Sequence, residues 1–138
     1  MIQPTLQHEE HLPVVLVVDD NSAIRDMVSW ALELDGYEPA EAAEGQEALD
    51  WMSNAVREGR TPAVIVLDLA MPGMDGDTFL QRLQEYWNSD NISTPRPSVI
   101  VITAGTGVSS ASHPGVERII RKPFHLRDLL DIVRLLAQ

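Results

Sequence analysis

The 138-residue sequence contains no cysteine. Disulfide frameworks, thiolate metal sites and thiol nucleophiles are therefore excluded. Positive charge is scarce: 10 Lys plus Arg stand against 21 Asp plus Glu, a formal net charge of −11. A surface of that sign repels phosphate backbones, so no direct binding of DNA or RNA is expected. No apolar run approaches the ~20 residues that cross a bilayer, and no membrane span is expected. The opening MIQPTLQHEEHL has neither a basic start nor an apolar stretch, so it does not read as a secretory signal. A soluble, cytoplasmic protein is the expectation. Internal repeats and low-complexity linkers are also lacking. At this length one domain is expected over 13–138, after a tail at 1–12, and it buries roughly two-thirds of its unfolded surface.

What is present alternates in period. VVLVV (Val14–Val18) is a continuous β-branched run, the pattern of a strand covered on both faces. Ile24, Met27, Val28, Ala31 and Leu32 then recur at helical spacing, and Gly36 supplies the stop. YEPAEA (37–42) reads as a weak strand, placed at a sheet edge by Pro39. Ala48, Leu49, Met52, Ala55 and Val56 mark a second helix ending at Gly59. AVIVLD (63–68) is a second buried strand, and Phe79, Leu80, Leu83, Tyr86 and Trp87 line a third helix. After a polar loop (88–98) come two more strands, VIVIT (99–103) and ERIIRK (117–122). Leu126, Leu129, Leu130, Val133 and Leu136 give a closing helix. Strands alternating with helices predict an α/β fold, a doubly wound parallel sheet with helices on both faces.

In such sheets ligands sit beyond the carboxyl ends of the strands. There the polar residues fall: Asp19 and Asp20 after the first strand, Asp68 ending the third, Thr103 the fourth and Lys122 the fifth. One strand-end Asp is most often a helix cap; a set of this kind has no ordinary structural explanation. If the three acids converge, two charges about 5 Å apart at an effective dielectric of 20 repel by on the order of 3 kcal/mol. A cation must offset this, and a few oxygen ligands with room for water and phosphate describe Mg²⁺ better than Zn²⁺ or caged Ca²⁺. With the metal and the Lys122 ammonium present, Asp68 can attack a phosphoryl group. The Thr103 hydroxyl and Lys122 would then hold its oxygens.

The segments VVDDN, DLAMPGMDG, ITA and KPF, in this order, resemble the response-regulator receiver domain of two-component signalling over about residues 14–137. The resemblance implies a flavodoxin-like five-stranded sheet in the order 2-1-3-4-5. It also implies phosphoryl transfer onto Asp68 from a sensor histidine kinase or a histidine phosphotransfer protein. By the family pattern Asp20 and Asp68 ligate Mg²⁺ directly, the backbone carbonyl of Ala70 adds a ligand, and Asp19 acts through water. Thr103 is the switch threonine, Lys122 the site lysine, and Lys122–Pro123 is expected to be cis. Such a chain catalyses only its own phosphoryl transfer and dephosphorylation, and is not an enzyme acting on free substrate. It is expected to act as a stand-alone receiver or part of a longer regulator, monomeric or weakly dimeric, signalling to a downstream protein that the sequence does not identify.

Two features depart from the family pattern. Ile119 stands where receivers commonly carry an aromatic residue, so aromatic-type coupling is expected to be weakened. The Gly- and Ser-rich segment 105–115 occupies the place of the fourth helix and is a poor helix former, so a short or irregular fourth helix is expected. Ala70 and Gly105 are small at positions that govern water access to the acyl phosphate, and a transient phosphorylation is expected. Trp51 and Trp87 read as packing, Trp30 as partly exposed, and Met27, Met52, Met71 and Met74 as core or loop filling. His8, His11, His113 and His125 share no ligand spacing; His125 borders the last helix.

Rival readings fit less well. A Mg²⁺-dependent aspartyl-phosphate phosphatase would carry two acids flanking a single residue, plus a cap domain. A flavin-binding protein of the same fold needs a phosphate loop where Asp19 and Asp20 would repel it. A phosphorylation-independent receiver-like module would have no use for the acidic triad, Thr103 and Lys122.

Overall fold

Uninterrupted apolar runs occupy the centre of the sheet, because only there are both faces of a strand removed from water. The computed structural model describes residues 12–69, 76–87, 96–104 and 115–138. Its strands are β1 (Val14–Val18), β2 (Glu38–Ala42), β3 (Val64–Asp68), β4 (Ser98–Thr103) and β5 (Val116–Arg121). The helices among the described residues are α1 (Ser22–Leu34), α2 (Gly45–Arg57), α3 (Gly76–Trp87) and α4 (Leu126–Leu136). All neighbouring strands pair in parallel, in the order β2-β1-β3-β4-β5. This is the doubly wound, flavodoxin-like arrangement expected. The fourth-helix segment 105–115 lies outside the described residues apart from Gly115.

Successive side chains on a strand point to opposite faces, and the core divides accordingly. Leu16, Val18, Ile65, Leu67, Val99 and Val101 face one layer, covered by α2 and α3 through Ala48, Met52, Phe79, Leu80 and Leu83. Val15, Val17, Val64, Val66, Ile100 and Ile102 face the other, covered by α1 and α4 through Val28, Leu32, Leu129 and Val133.

At the edge, Glu38 donates its N–H to the Pro13 carbonyl and Ala42 accepts from the Asp19 N–H, so even-numbered residues of β2 bond to β1. By alternation, Pro39 turns its donorless nitrogen away from the sheet. The proline removes no ladder bond and blunts the free edge.

α1 and α2 end in the same way. Tyr37 N–H bonds to Leu32 O and Gly36 N–H to Glu33 O; Arg60 N–H bonds to Ala55 O and Gly59 N–H to Val56 O. These paired bonds satisfy carbonyls that the helix leaves free, and they require a left-handed residue, supplied by Gly36 (φ 93°) and Gly59 (φ 70°). Tyr37, delivered by the first turn, is buried against Leu32 in the α1/α4 layer.

A Cβ at Gly36 meets nothing within 4 Å. Gly36→Ala therefore costs only the left-handed conformation, about 1–2 kcal/mol, with Gly36→Asn recovering part of it in urea unfolding. Burial, then the Asp35 carboxylate, raises the Tyr37 phenol above its ordinary value of about 10. The fold thus favours the neutral phenol. That stabilisation is fully present below pH about 10 and is lost as pH rises through the raised folded value. Melting temperatures should fall over that alkaline range, and less steeply in Tyr37→Phe.

Candidate functional site

Because every strand runs in one direction, their carboxyl ends share one rim of the sheet. Val18 pairs with Leu67, so Asp19 and Asp68 follow one step further on adjacent strands. Asp68 pairs with Ile102, and Thr103 is the next residue of β4. Lys122 follows β5, and its N–H donates to the Thr103 carbonyl at 2.8 Å. Asp19, Asp68 and Thr103 are buried (2, 5 and 6 % exposed), and Asp20 is exposed.

The structure brings the three acids together. One carboxylate oxygen from each of Asp19, Asp20 and Asp68 lies within 4.8 Å of the others. At an effective dielectric of 20, that separation corresponds to at least about 3.5 kcal/mol of repulsion per charged pair. The Lys122 Nζ stands 3.6 Å from Asp19 Oδ2 and 3.6 Å from Asp68 Oδ2. Both distances are ion pairs rather than hydrogen bonds, which favour about 2.7–2.9 Å for charged partners. The ammonium is shared between the acids and committed to neither. Three carboxylates and one ammonium leave an excess of negative charge, and the donors are hard oxygens. The set fits a small divalent cation such as Mg²⁺.

Asp19 is held at every polar atom. Its N–H donates to Ala42 O at 3.1 Å, Oδ1 accepts from the Asn21 N–H at 2.9 Å, and Oδ2 faces Lys122. Its carbonyl accepts from Arg25 Nη1 at 2.8 Å, and Arg25 Nε bonds to Glu41 Oε1 at 3.2 Å. Asn21 also caps α1, its side chain accepting from the Ile24 N–H at 3.1 Å. Sequence reasoning assigned nothing to Asn21 or Arg25. The preference of Asn for helix N-caps was a usable signal for the first; nothing local marks the second as a partner of Asp19.

Ala70 lies outside the described residues, as do Gly105, His8, His11, His113, Met71 and Met74. Lys122–Pro123 is cis, as expected. Trp51 and Trp87 pack against the α2/α3 layer, as does Ile119. Trp30 is 62 % exposed, and His125 occupies the N-cap position of α4 without a side-chain capping bond. Met52 is buried, but Met27 is not core filling. It is 42 % exposed, since it lies on the flank of the α1 stripe whose centre is Val28 and Leu32.

Comparison with known proteins agrees with this geometry. The family model described as response regulator receiver domain matches residues 15–134. The phosphate regulon transcriptional regulatory protein PhoB of Pseudomonas aeruginosa is 33% identical over 118 residues, covering 84% of this chain and 48% of that protein. Response regulator MprA of Mycobacterium sp. (strain KMS) is 33% identical over 131 residues, covering 92% and 52%. The chain thus spans about half the length of the curated relatives it matches. Among solved structures, chemotaxis response regulator CheY4 of Vibrio cholerae superposes with a TM-score of 0.73 at 29% identity, covering 91% of this chain and 98% of that one. The receiver domain from hybrid histidine kinase CckA gives 0.71 at 28% identity, covering 91% and 99%. No helix among the described residues is long and apolar enough to cross a membrane.

Repulsion within the cluster is measurable in the absence of metal. With divalent ions chelated, Asp20→Asn should raise unfolding stability by about 1 kcal/mol, the pair repulsion being discounted for the exposure of Asp20. An unchanged or lowered urea midpoint would show that the acids do not oppose one another.

Proposed function

Since this chain belongs to the response regulator receiver family, we propose that it is a phosphorylation-dependent switch whose Asp68 accepts a phosphoryl group from a sensor histidine kinase or a histidine phosphotransfer protein. One observation carries this reading: the Lys122 ammonium stands 3.6 Å from the carboxylates of both Asp19 and Asp68, in a cluster of three acids. A structural ion pair needs one acid and one base, and the two further carboxylates are superfluous to it.

Asp68 Oδ forms the new P–O bond as the P–N bond of the donor phosphoimidazole breaks, and the departing nitrogen keeps the electron pair. Asp20 and Asp68 would hold Mg²⁺ directly, with the Ala70 carbonyl, and Asp19 through water. When bound, Mg²⁺ supplies the positive charge that lets an anionic carboxylate and an anionic phosphoryl group approach. The Lys122 ammonium is free to leave its shared position and pair with a phosphoryl oxygen, and the Thr103 hydroxyl donates to another. The product is an acyl phosphate on the chain itself.

Signalling follows from the new bonds. Driving a two-state element from mostly off to mostly on takes about 5.5 kcal/mol of differential binding. A hydrogen bond to a charged group supplies roughly 1.5–3 kcal/mol, so Thr103 acts together with Lys122 and backbone amides. The switch would work in the cytoplasm, as a monomer or weak dimer, on a downstream protein partner.

Incubation with Mg²⁺ and a small acyl phosphate, followed by intact mass, tests the reading. Wild type should gain one phosphoryl group; Asp68→Asn, or wild type in excess chelator, should gain none. An adduct on both proteins, or on neither, would overturn the assignment.

A further inference from the structure

Arg25 is the only Lys or Arg in the first 56 residues, and it is spent on a backbone carbonyl and one acid. Its side chain is 18% exposed, its Nη1 donates to Asp19 O at 2.8 Å, and its Nε to Glu41 Oε1 at 3.2 Å. The carbonyl it grips belongs to the peptide joining Asp19 to Asp20. Asp19 has three further anchors, in Ala42, Asn21 and Lys122. Asp20 is exposed, and among the described residues no hydrogen bond or ion pair holds its carboxylate. The plane of the 19–20 peptide sets the direction in which the Asp20 side chain leaves the backbone. Arg25 is the side chain that fixes that plane from the helix side.

From this geometry we infer that Arg25, braced by Glu41, is a positioning residue for the metal site: it orients the 19–20 peptide so that Asp20 points at Asp68. The inference rests on the proposed Mg²⁺-dependent function and assigns part of its geometry to an arginine on α1 and a glutamate on β2. A purely electrostatic influence would act in the opposite direction. A cation close to an acidic cluster repels a second cation, so removing it would tighten Mg²⁺ binding. Orientation predicts weakening instead. Because Glu41 offsets the Arg25 charge, the pair brings orientation to the site with little net field.

The experiment is titration of the full chain with Mg²⁺ by calorimetry, for wild type, Arg25→Ala, Arg25→Lys and Glu41→Gln. Arg25→Ala should weaken Mg²⁺ binding by roughly tenfold or more, the usual effect of losing an outer-shell partner. Arg25→Lys keeps the charge but lacks the fork that spans carbonyl and carboxylate, so it should remain closer to Arg25→Ala than to wild type. Glu41→Gln retains the bond to Asp19 and should weaken binding less than Arg25→Ala. In acyl phosphate reactions, Arg25→Ala should need more Mg²⁺ for half-saturation yet approach the wild-type rate at saturating metal, a split that general structural damage would not produce. Binding in Arg25→Ala equal to or tighter than wild type, or full rescue by Arg25→Lys, overturns the inference alone. If Arg25→Ala fails to fold, Arg25→Lys and Glu41→Gln decide: wild-type affinity in both overturns it. Absence of Mg²⁺ binding by wild type overturns the proposed function and this inference with it.

Discussion

Like charges held within 4.8 Å of one another separate unless something rigid opposes them, and in this molecule the opposing element is a parallel sheet covered on both faces. Asp19 and Asp68 sit one step beyond paired residues of β1 and β3, strands whose side chains are almost wholly removed from water. Each fully buried Val, Leu or Ile contributes about 1.5–3 kcal/mol. A few such residues offset the repulsion of a carboxylate pair. The acids cannot relax apart without pulling the central strands out of register. The stress is relieved in part by Lys122, which the backbone bond to Thr103 holds beside the same rim.

The elements around the rim answer to this arrangement. α1 begins at Ser22, two residues past Asp20, so the positive end of its dipole lies near the acid pair. Asn21 serves the helix with its side chain and Asp19 with its N–H, and so ties the start of α1 to the acid. β2 contributes through Ala42 and Glu41, the latter by way of Arg25. At the other end of α1 and α2, the glycine turns return the chain to begin β2 and β3. Outward-facing Pro39 keeps the β2 edge from offering a full row of donors. One end of the molecule is thus given to concentrated charge, and the other to turning the chain cheaply.

The order and type of the elements were legible in the sequence because they follow from local rules. Continuous β-branched runs marked the buried strands, helical spacing marked the faces of α1 to α4, and Gly36 and Gly59 marked two helix ends by steric necessity. Pro39 marked an edge. The candidate site residues were legible for a related reason: a parallel sheet places strand ends together, so a polar residue at the end of each main strand already implied a cluster. Met27 was misread because helical spacing alone does not distinguish the centre of an apolar stripe from its flank.

The sequence by itself determined which residues lie at the rim, since strand position is a matter of hydrophobic period and chain length. Only the tertiary structure decided how they meet. That Lys122 is shared at 3.6 Å between two acids depends on the packing of β4 against β5, and the bracing of Arg25 by Glu41 depends on the packing of α1 against β2. Such distances are set by contacts between segments far apart in the chain, and no local pattern of residue types encodes them.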